Sequence, residues 1–208
     1  MSNPWNDIKL IDYESHMSLD SVGQLQALNR HMAGQFNDFP VKTAMVLGVA
    51  GGNGLEHIDT NKYQTVYGID INEDYLKEVY KRYKDKEKVL RCLQLDLINE
   101  AEKLPEAELV IANLLVEYIG YEAFKNAIEK IDPVYVSVVI QINTDANAWV
   151  SDSPYLHAFD RLDEVHHQME ENEMTDCLKQ AGYSFTGTVR EDLPNGKALV
   201  RLDYKKDI

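Results

Sequence analysis

The sequence predicts an α/β protein: a doubly wound, mostly parallel seven-stranded sheet that ends in an antiparallel hairpin and is preceded by an N-terminal helical cap over residues 1–40. Three observations predict it. Short, continuously apolar runs alternate with amphipathic helical patterns, which is how strands covered on both faces of a parallel sheet read. The first of these runs enters a glycine-rich turn, Ala50-Gly51-Gly52-Asn53-Gly54, before a short helix. The last two runs flank Leu193-Pro194-Asn195-Gly196, a hairpin signal.

The elements follow in order. Ser18 is placed to cap a helix over 19–34, where Leu19, Val22, Leu25, Leu28 and Met32 recur at spacings of three and four. Phe39-Pro40 closes the cap, and a strand spans about 43–49. Leu55 and Ile58 mark the short helix after the glycine turn, and residues 65–69 form a second strand closing on Asp70. Tyr75, Leu76, Val79, Tyr80 and Tyr83 give a helix over 73–84 its apolar face. A third strand over 89–95 closes on Asp96, and a fourth over 109–112 closes on Asn113. Phe124, Ala127 and Ile128 place a helix over 120–130, followed by a fifth strand over 134–142. Residues 143–162 are polar and irregular, and a long helix over 163–181 stops at Gly182. For 208 residues, one domain over 41–208 behind the cap is the expected organisation.

The formal net charge of −14 argues against nucleic acid as a partner, because phosphate contacts need clustered Lys and Arg. The basic residues between Lys77 and Arg91 do cluster, but acids interleave with them, so they read as a solvated helix face. Cys92 and Cys177 lack metal-ligand spacing and read as small buried hydrophobes of a reducing, cytoplasmic protein. Residues 1–7 show no basic-then-apolar leader. No apolar run approaches the roughly 20 residues of a membrane helix, so no membrane partner is expected.

The chemistry concentrates at the strand ends. Glycines in a strand-to-helix turn let a ligand approach the backbone closely. Asp70 lies 16 residues past Gly54, where a carboxylate at the end of the second strand can accept hydrogen bonds from ribose hydroxyls. Asp96 ends the next strand, within reach of an adenine amino group. In this order and phase the residues resemble the class I S-adenosylmethionine-dependent methyltransferases over about 41–204. That family's first motif is an acid, an apolar residue, then G-x-G-x-G; here Gly48 stands in the acid's place and Ala50 in that of the first glycine. Tyr67-Gly68-Ile69-Asp70-Ile71-Asn72 matches the ribose-binding motif, Leu95-Asp96-Leu97 the adenine-contacting one, and residues 112–119 the fourth motif, beside the methionine end.

The resemblance implies S-adenosyl-L-methionine as cofactor. It would be held by Gly48, Ala50, Gly51, Gly52, Gly54, Asp70, Ile71, Asp96, Leu97, Asn113 and Leu114, with Tyr13 closing over it from the cap. It also implies direct methyl displacement onto an acceptor, here a small molecule on charge grounds. Where the nucleophile must lose a proton, candidate acceptors are Glu117 and Tyr118, then Gln141 and Asn143 after the fifth strand, and Tyr13, His16 and Gln24 in the cap. Trp149, Tyr155, His157 and Phe159 suit a loop enclosing an organic acceptor. Asp163 with His167, and His166 with Glu170, have i, i+4 spacing but read as a solvated helix, and no metal site is expected. Two alternatives are weighed. An NAD(P)-binding oxidoreductase would need G-x-G-x-x-G, and His57 occupies the third glycine's place. A non-catalytic S-adenosylmethionine-binding module is favoured by the departures at Gly48 and Ala50.

Overall fold

The computed structural model describes residues 3–143 and 149–207. Its seven strands are β1 (Thr43–Leu47), β2 (Thr65–Asp70), β3 (Leu90–Gln94), β4 (Leu109–Asn113), β5 (Tyr135–Ile142), β6 (Tyr183–Asp192) and β7 (Ala198–Lys206). They form one sheet in the order β3-β2-β1-β4-β5-β7-β6. The first five strands pair in parallel, and the final hairpin inserts β7 antiparallel against β5 with β6 at the edge. The strand order reverses between β1 and β4. In open α/β sheets that switch point opens a crevice beyond the carboxyl ends of the strands.

The helices are α1 (Leu10–Ser18), α2 (Gln24–Asp38), α3 (Glu73–Arg82), α4 (Val116–Ile131) and α5 (Glu171–Gln180). One face of the sheet packs on α4 and α5 through Phe124, Ile128, Met174 and Tyr204. The other packs on α2 and α3 through Phe36, Leu55, Leu76 and Val79. The central strands are buried on both faces, which explains their unbroken apolar runs. At α3, the Asn72 side chain accepts hydrogen bonds from the Asp74 and Tyr75 N–H groups. Acids fill the first turn of that helix, and Lys81 and Arg82 the last, which suits its dipole. Lys77, Lys81 and Arg82 pair with carboxylates of the same helix, as a solvated face should.

Three elements differ from expectation. The helix predicted over 19–34 is two helices. Ser18 ends α1, its hydroxyl donating back to the Ser15 carbonyl, and Gly23, in the left-handed region, starts α2. The apolar spacing ran through the break because Val22, in the turn, is fully buried. α1 carries no clean stripe, with Ile11 largely exposed. The helix predicted over 163–181 is shorter. A 3₁₀ run covers Leu156–Glu164, and α5 starts only at Glu171, because 165–170 is recruited to a wall described below. The helix predicted over 120–130 extends back to Val116, with a kink at Gly120 where φ is +76°. Both cysteines are buried and free. Among the described residues no helix is long and apolar enough to cross a membrane, and no cluster of three or more His, Cys, Asp or Glu could hold a metal.

The glycine turn carries a stability prediction. Gly54 has φ +90°, and a Cβ there would lie 2.5 Å from Met32 Cβ on α2. Gly54→Ala combines a left-handed backbone with a clash against a side-chain root that cannot rotate away. A loss of at least about 2 kcal/mol is expected in urea denaturation.

Candidate functional site

Two cavities meet at the carboxyl ends of the strands. The larger, about 690 Å³ including its open mouth, lies over the ends of β1, β2, β3 and β4. Gly48, Ala50, Asp70, Ile71, Asp96, Leu97, Asn113, Leu114, Tyr13 and Tyr118 all line it, so most of the predicted site is brought together. The second, about 560 Å³, lies between the cap, the start of α4 and the chain after β5, and contains His16, Gln24, Glu117, Gln141, Trp149 and Phe159. Trp5, Tyr13, Leu114 and Tyr118 line both and form the partition between them.

Asp70 anchors the first cavity. One carboxylate oxygen accepts from the Ala50 N–H at 2.8 Å and the other from the Asn72 N–H at 2.9 Å. Burial pushes its carboxyl up to about 6, against those backbone donors, which favour the charged form. Each oxygen keeps acceptor capacity toward the cleft, since an ionised carboxylate offers about four lone-pair positions. Asp96 is half-buried, and its carboxylate is partly committed to its own turn, accepting from the Ile98 N–H (2.9 Å) and the Asn99 amide (2.7 Å). Asn113 points its amide away into a two-way pair with Gln35 (2.9 and 2.8 Å), so what it presents to the cleft is main chain. Two residues of this rim are left-handed without being glycine, Ala50 (φ +46°) and Leu114 (φ +51°). Such backbone strain concentrates where the surrounding structure fixes a site.

The glycines divide into two roles. Gly48 lines the cleft. Gly51 lies in a smaller recess of about 450 Å³ beside it, with Gly48, Ala50 and Asn53. Gly52 and Gly54 line none of these spaces; a Cβ on Gly52 would lie 2.7 Å from the Tyr83 ring, and Gly54 makes room for Met32. Their freedom serves the protein's own packing. Tyr83 donates its hydroxyl to the Gly52 carbonyl at 2.7 Å, and Arg82 donates to the Gly51 carbonyl at 3.1 Å while pairing with Glu14 of α1.

The second cavity holds the sharper chemistry. Glu117 is buried at 5% exposure. Its Oε1 accepts from the Gln141 N–H at 3.2 Å, and its Oε2 has no hydrogen-bond partner among the described residues. Burial pushes its carboxyl up to about 7. Tyr13 and Tyr118 are held protonated by burial and by neighbouring carboxylates, Asp70 first for Tyr13 and Glu117 first for Tyr118. His16 bonds Ser153 through Nδ1 at 2.8 Å, and burial lowers its basicity. Gln24 donates to Gln141, which donates in turn to Asn143 (2.7 Å) and the Trp149 carbonyl (3.0 Å). Asn143 and Tyr155 line neither cavity. His157 points outward, its side chain 92% exposed and paired with Asp160.

Sequence reasoning missed Trp5 and His166. Trp5 packs edge-on against Tyr13 (5.8 Å between ring centroids) and Tyr118 (4.8 Å), and its carbonyl accepts from Asn72. A large aromatic in an otherwise polar terminal segment was the available signal. His166 stacks flat on Trp149, 3.8 Å apart, and burial holds it at about 4. His167 donates its N–H to the Glu117 carbonyl at 2.7 Å. These contacts take 165–170 out of the helix, so the i, i+4 pairs expected there do not form. Asp163 instead accepts from the Trp149 indole N–H at 2.8 Å.

No family model matches the chain, and no curated protein matches it in sequence. Solved structures do match in shape. A magnesium protoporphyrin IX methyltransferase from Synechocystis, crystallised with S-adenosylhomocysteine, superposes with a TM-score of 0.63 at 12% identity, covering 94% of this chain and 87% of that one. Geranyl diphosphate methyltransferase in complex with S-adenosylmethionine gives 0.66 at 9% identity, covering 89% and 88%. The [4+2]-cyclase SpnF gives 0.65 at 10% identity, covering 88% and 81%. At these identities the likeness is one of fold, and a cyclase among the neighbours shows that the fold alone does not fix the reaction.

Proposed function

On the class I methyltransferase fold that these likenesses establish, we propose that this chain is an S-adenosylmethionine-dependent methyltransferase acting on a small molecule. One observation carries the reading: a cleft holding Asp70 and Asp96 shares a wall of Trp5, Tyr13, Leu114 and Tyr118 with a second cavity that contains a buried, half-partnered carboxyl. The residues present suit the cofactor. Asp70 would take the ribose hydroxyls, Asp96 and the apolar Ile71 and Leu97 the adenine, and the Gly48–Ala50 backbone the amino-acid end. Bound there, the cofactor supplies a methyl group already activated on a sulfonium. The chain's own contribution is then alignment and exclusion of water, through the aromatic partition and the cap. Where the acceptor must shed a proton, Glu117 is placed to take it.

The strand order favours this reading over a nicotinamide-dependent oxidoreductase, whose sheet continues past β5 with a parallel sixth strand; here the antiparallel β7 occupies that place. The second cavity favours an enzyme over a mere cofactor-binding module, which needs no enclosed acidic space beside its ligand. Turnover of S-adenosylmethionine with small-molecule acceptors checks the second choice, and calorimetric titration the first. S-adenosylhomocysteine is expected to bind with one site per chain, and NADH to give no heat of binding. The reverse result overturns the proposal.

A further inference from the structure

We infer that the acceptor is an amine, held as its ammonium form in an aromatic cage closed by the Glu117 carboxylate. This rests on the methyltransferase reading and adds the chemical class of the substrate. The second cavity is walled by the rings of Trp5, Tyr13, Tyr118, Trp149, Phe159 and His166. All but Phe159, which packs on His16, form one connected set: Trp5 packs on Tyr13, and Tyr118 packs edge-on against Trp5 at 4.8 Å, Trp149 at 6.3 Å and His166 at 6.1 Å. Among the described residues no Lys or Arg lines this space. Lys197, a buried ammonium whose charge helps keep His16 and His166 neutral, donates to the Trp149 main-chain carbonyl and is not among the lining residues. The two histidines of the wall, His16 and His166, are kept neutral by burial, and the two tyrosines are kept protonated.

Among the described residues Glu117 is therefore the one side chain lining this cavity that can carry charge near neutrality, and that charge is negative. Aromatic faces attract a desolvated cation through their quadrupoles, most strongly tryptophan. Its Oε2 is buried without a partner among the described residues, so a cation that reaches the Glu117 carboxylate meets an acceptor whose desolvation the fold already bears. A carboxylate or phosphate acceptor would meet Glu117 with like charge and find no cationic partner on the described walls. The proton balance closes. An N–H proton of the ammonium passes to Glu117, the freed nitrogen lone pair forms the new N–C bond to the methyl carbon, and the C–S electron pair stays on sulfur. Glu117 then returns its proton to water.

The molecule carries its own reporter: its two tryptophans, Trp5 and Trp149, both line this cavity. Benzyltrimethylammonium keeps the charge but cannot be methylated, and neopentylbenzene is its uncharged isostere. With the protein saturated in S-adenosylhomocysteine, tryptophan fluorescence is expected to show the ammonium binding at least tenfold tighter than the isostere. Phenylacetate should bind more weakly than either. In Glu117→Gln the preference for charge should fall below about threefold. Equal binding of ammonium and isostere by the wild type, or tighter binding of phenylacetate, overturns the inference without recourse to any variant. A failure of S-adenosylhomocysteine itself to bind sinks the methyltransferase reading instead, and repeating the charge comparison without it still judges the cage.

Discussion

Asp70→Asn is expected to weaken S-adenosylhomocysteine binding by roughly 30- to 150-fold, with little loss of fold. The variant keeps an oxygen for one of the two backbone donors, Ala50 or Asn72, and keeps the side-chain volume. What it loses is the charge that strengthens hydrogen bonds from the two ribose hydroxyls, worth about 2–3 kcal/mol together. Calorimetry measures the loss, and an urea melt measured alongside separates it from unfolding. An unchanged Kd would remove Asp70 from the binding machinery.

Glu117→Gln is expected to act in two ways. With an amine acceptor, kcat/KM should fall about 10²- to 10⁴-fold, the usual contribution of a positioned base, while affinity for S-adenosylhomocysteine holds. The wild type should show an acid limb near pH 7 that the variant lacks, since the carboxyl sits at about 7 and must be ionised to accept a proton. The second effect is on stability, and it needs no substrate. The folded carboxyl lies above its ordinary value of 4.5. Its contribution is therefore fully present below about pH 4.5 and is lost as pH rises through 7. At about 1.4 kcal/mol per pH unit, the wild type forfeits about 3 kcal/mol across that window, and the glutamine variant does not. Between pH 5 and pH 8 the loss is about 2.5 kcal/mol, so the melting temperature of Glu117→Gln relative to wild type should rise by about 5–10 °C over that range. A constant difference across that range contradicts the burial of this carboxyl.

The sheet was legible in the sequence because its cause is local. Val134 to Ile142 and Leu109 to Ala112 are apolar on every residue or nearly so, and only a strand covered on both faces needs that. Asp70 and Asp96 were legible for a related reason: a strand that ends in a turn puts its last polar residue at the mouth of the crevice. What escaped was set by tertiary contacts. Nothing between Val165 and Glu170 forbids a helix; the stacking of His166 on Trp149 and the His167 N–H to Glu117 hold it out of one. The burial of Val22 in a turn disguised a break between two helices as one. The glycine turn was legible as a turn, yet two of its glycines make room for Tyr83 and Met32, which a motif read for its ligand does not reveal. Glu117 could be singled out by its place after the fourth strand, but its missing partner is visible only once β5 and α4 are set side by side.

The segment before α2 has a kinetic consequence. It lies along the first cavity and is tied down by hydrogen bonds from Asn72 to the Trp5 carbonyl, from Tyr75 to the Ile8 carbonyl and between His16 and Ser153, and by two partly exposed ion pairs, Arg82–Glu14 and Arg161–Asp7. Bonds of this kind contribute about 1 kcal/mol each, and the burial of Ile8 and Met17 adds to them, yet the segment supplies no strand to the sheet. On the proposed reading, a cofactor entering or leaving the first cavity passes this segment, whose stiffness is set outside the second cavity. Two of these ties are ionic, so added salt should loosen the segment and quicken ligand exchange while leaving the interior untouched.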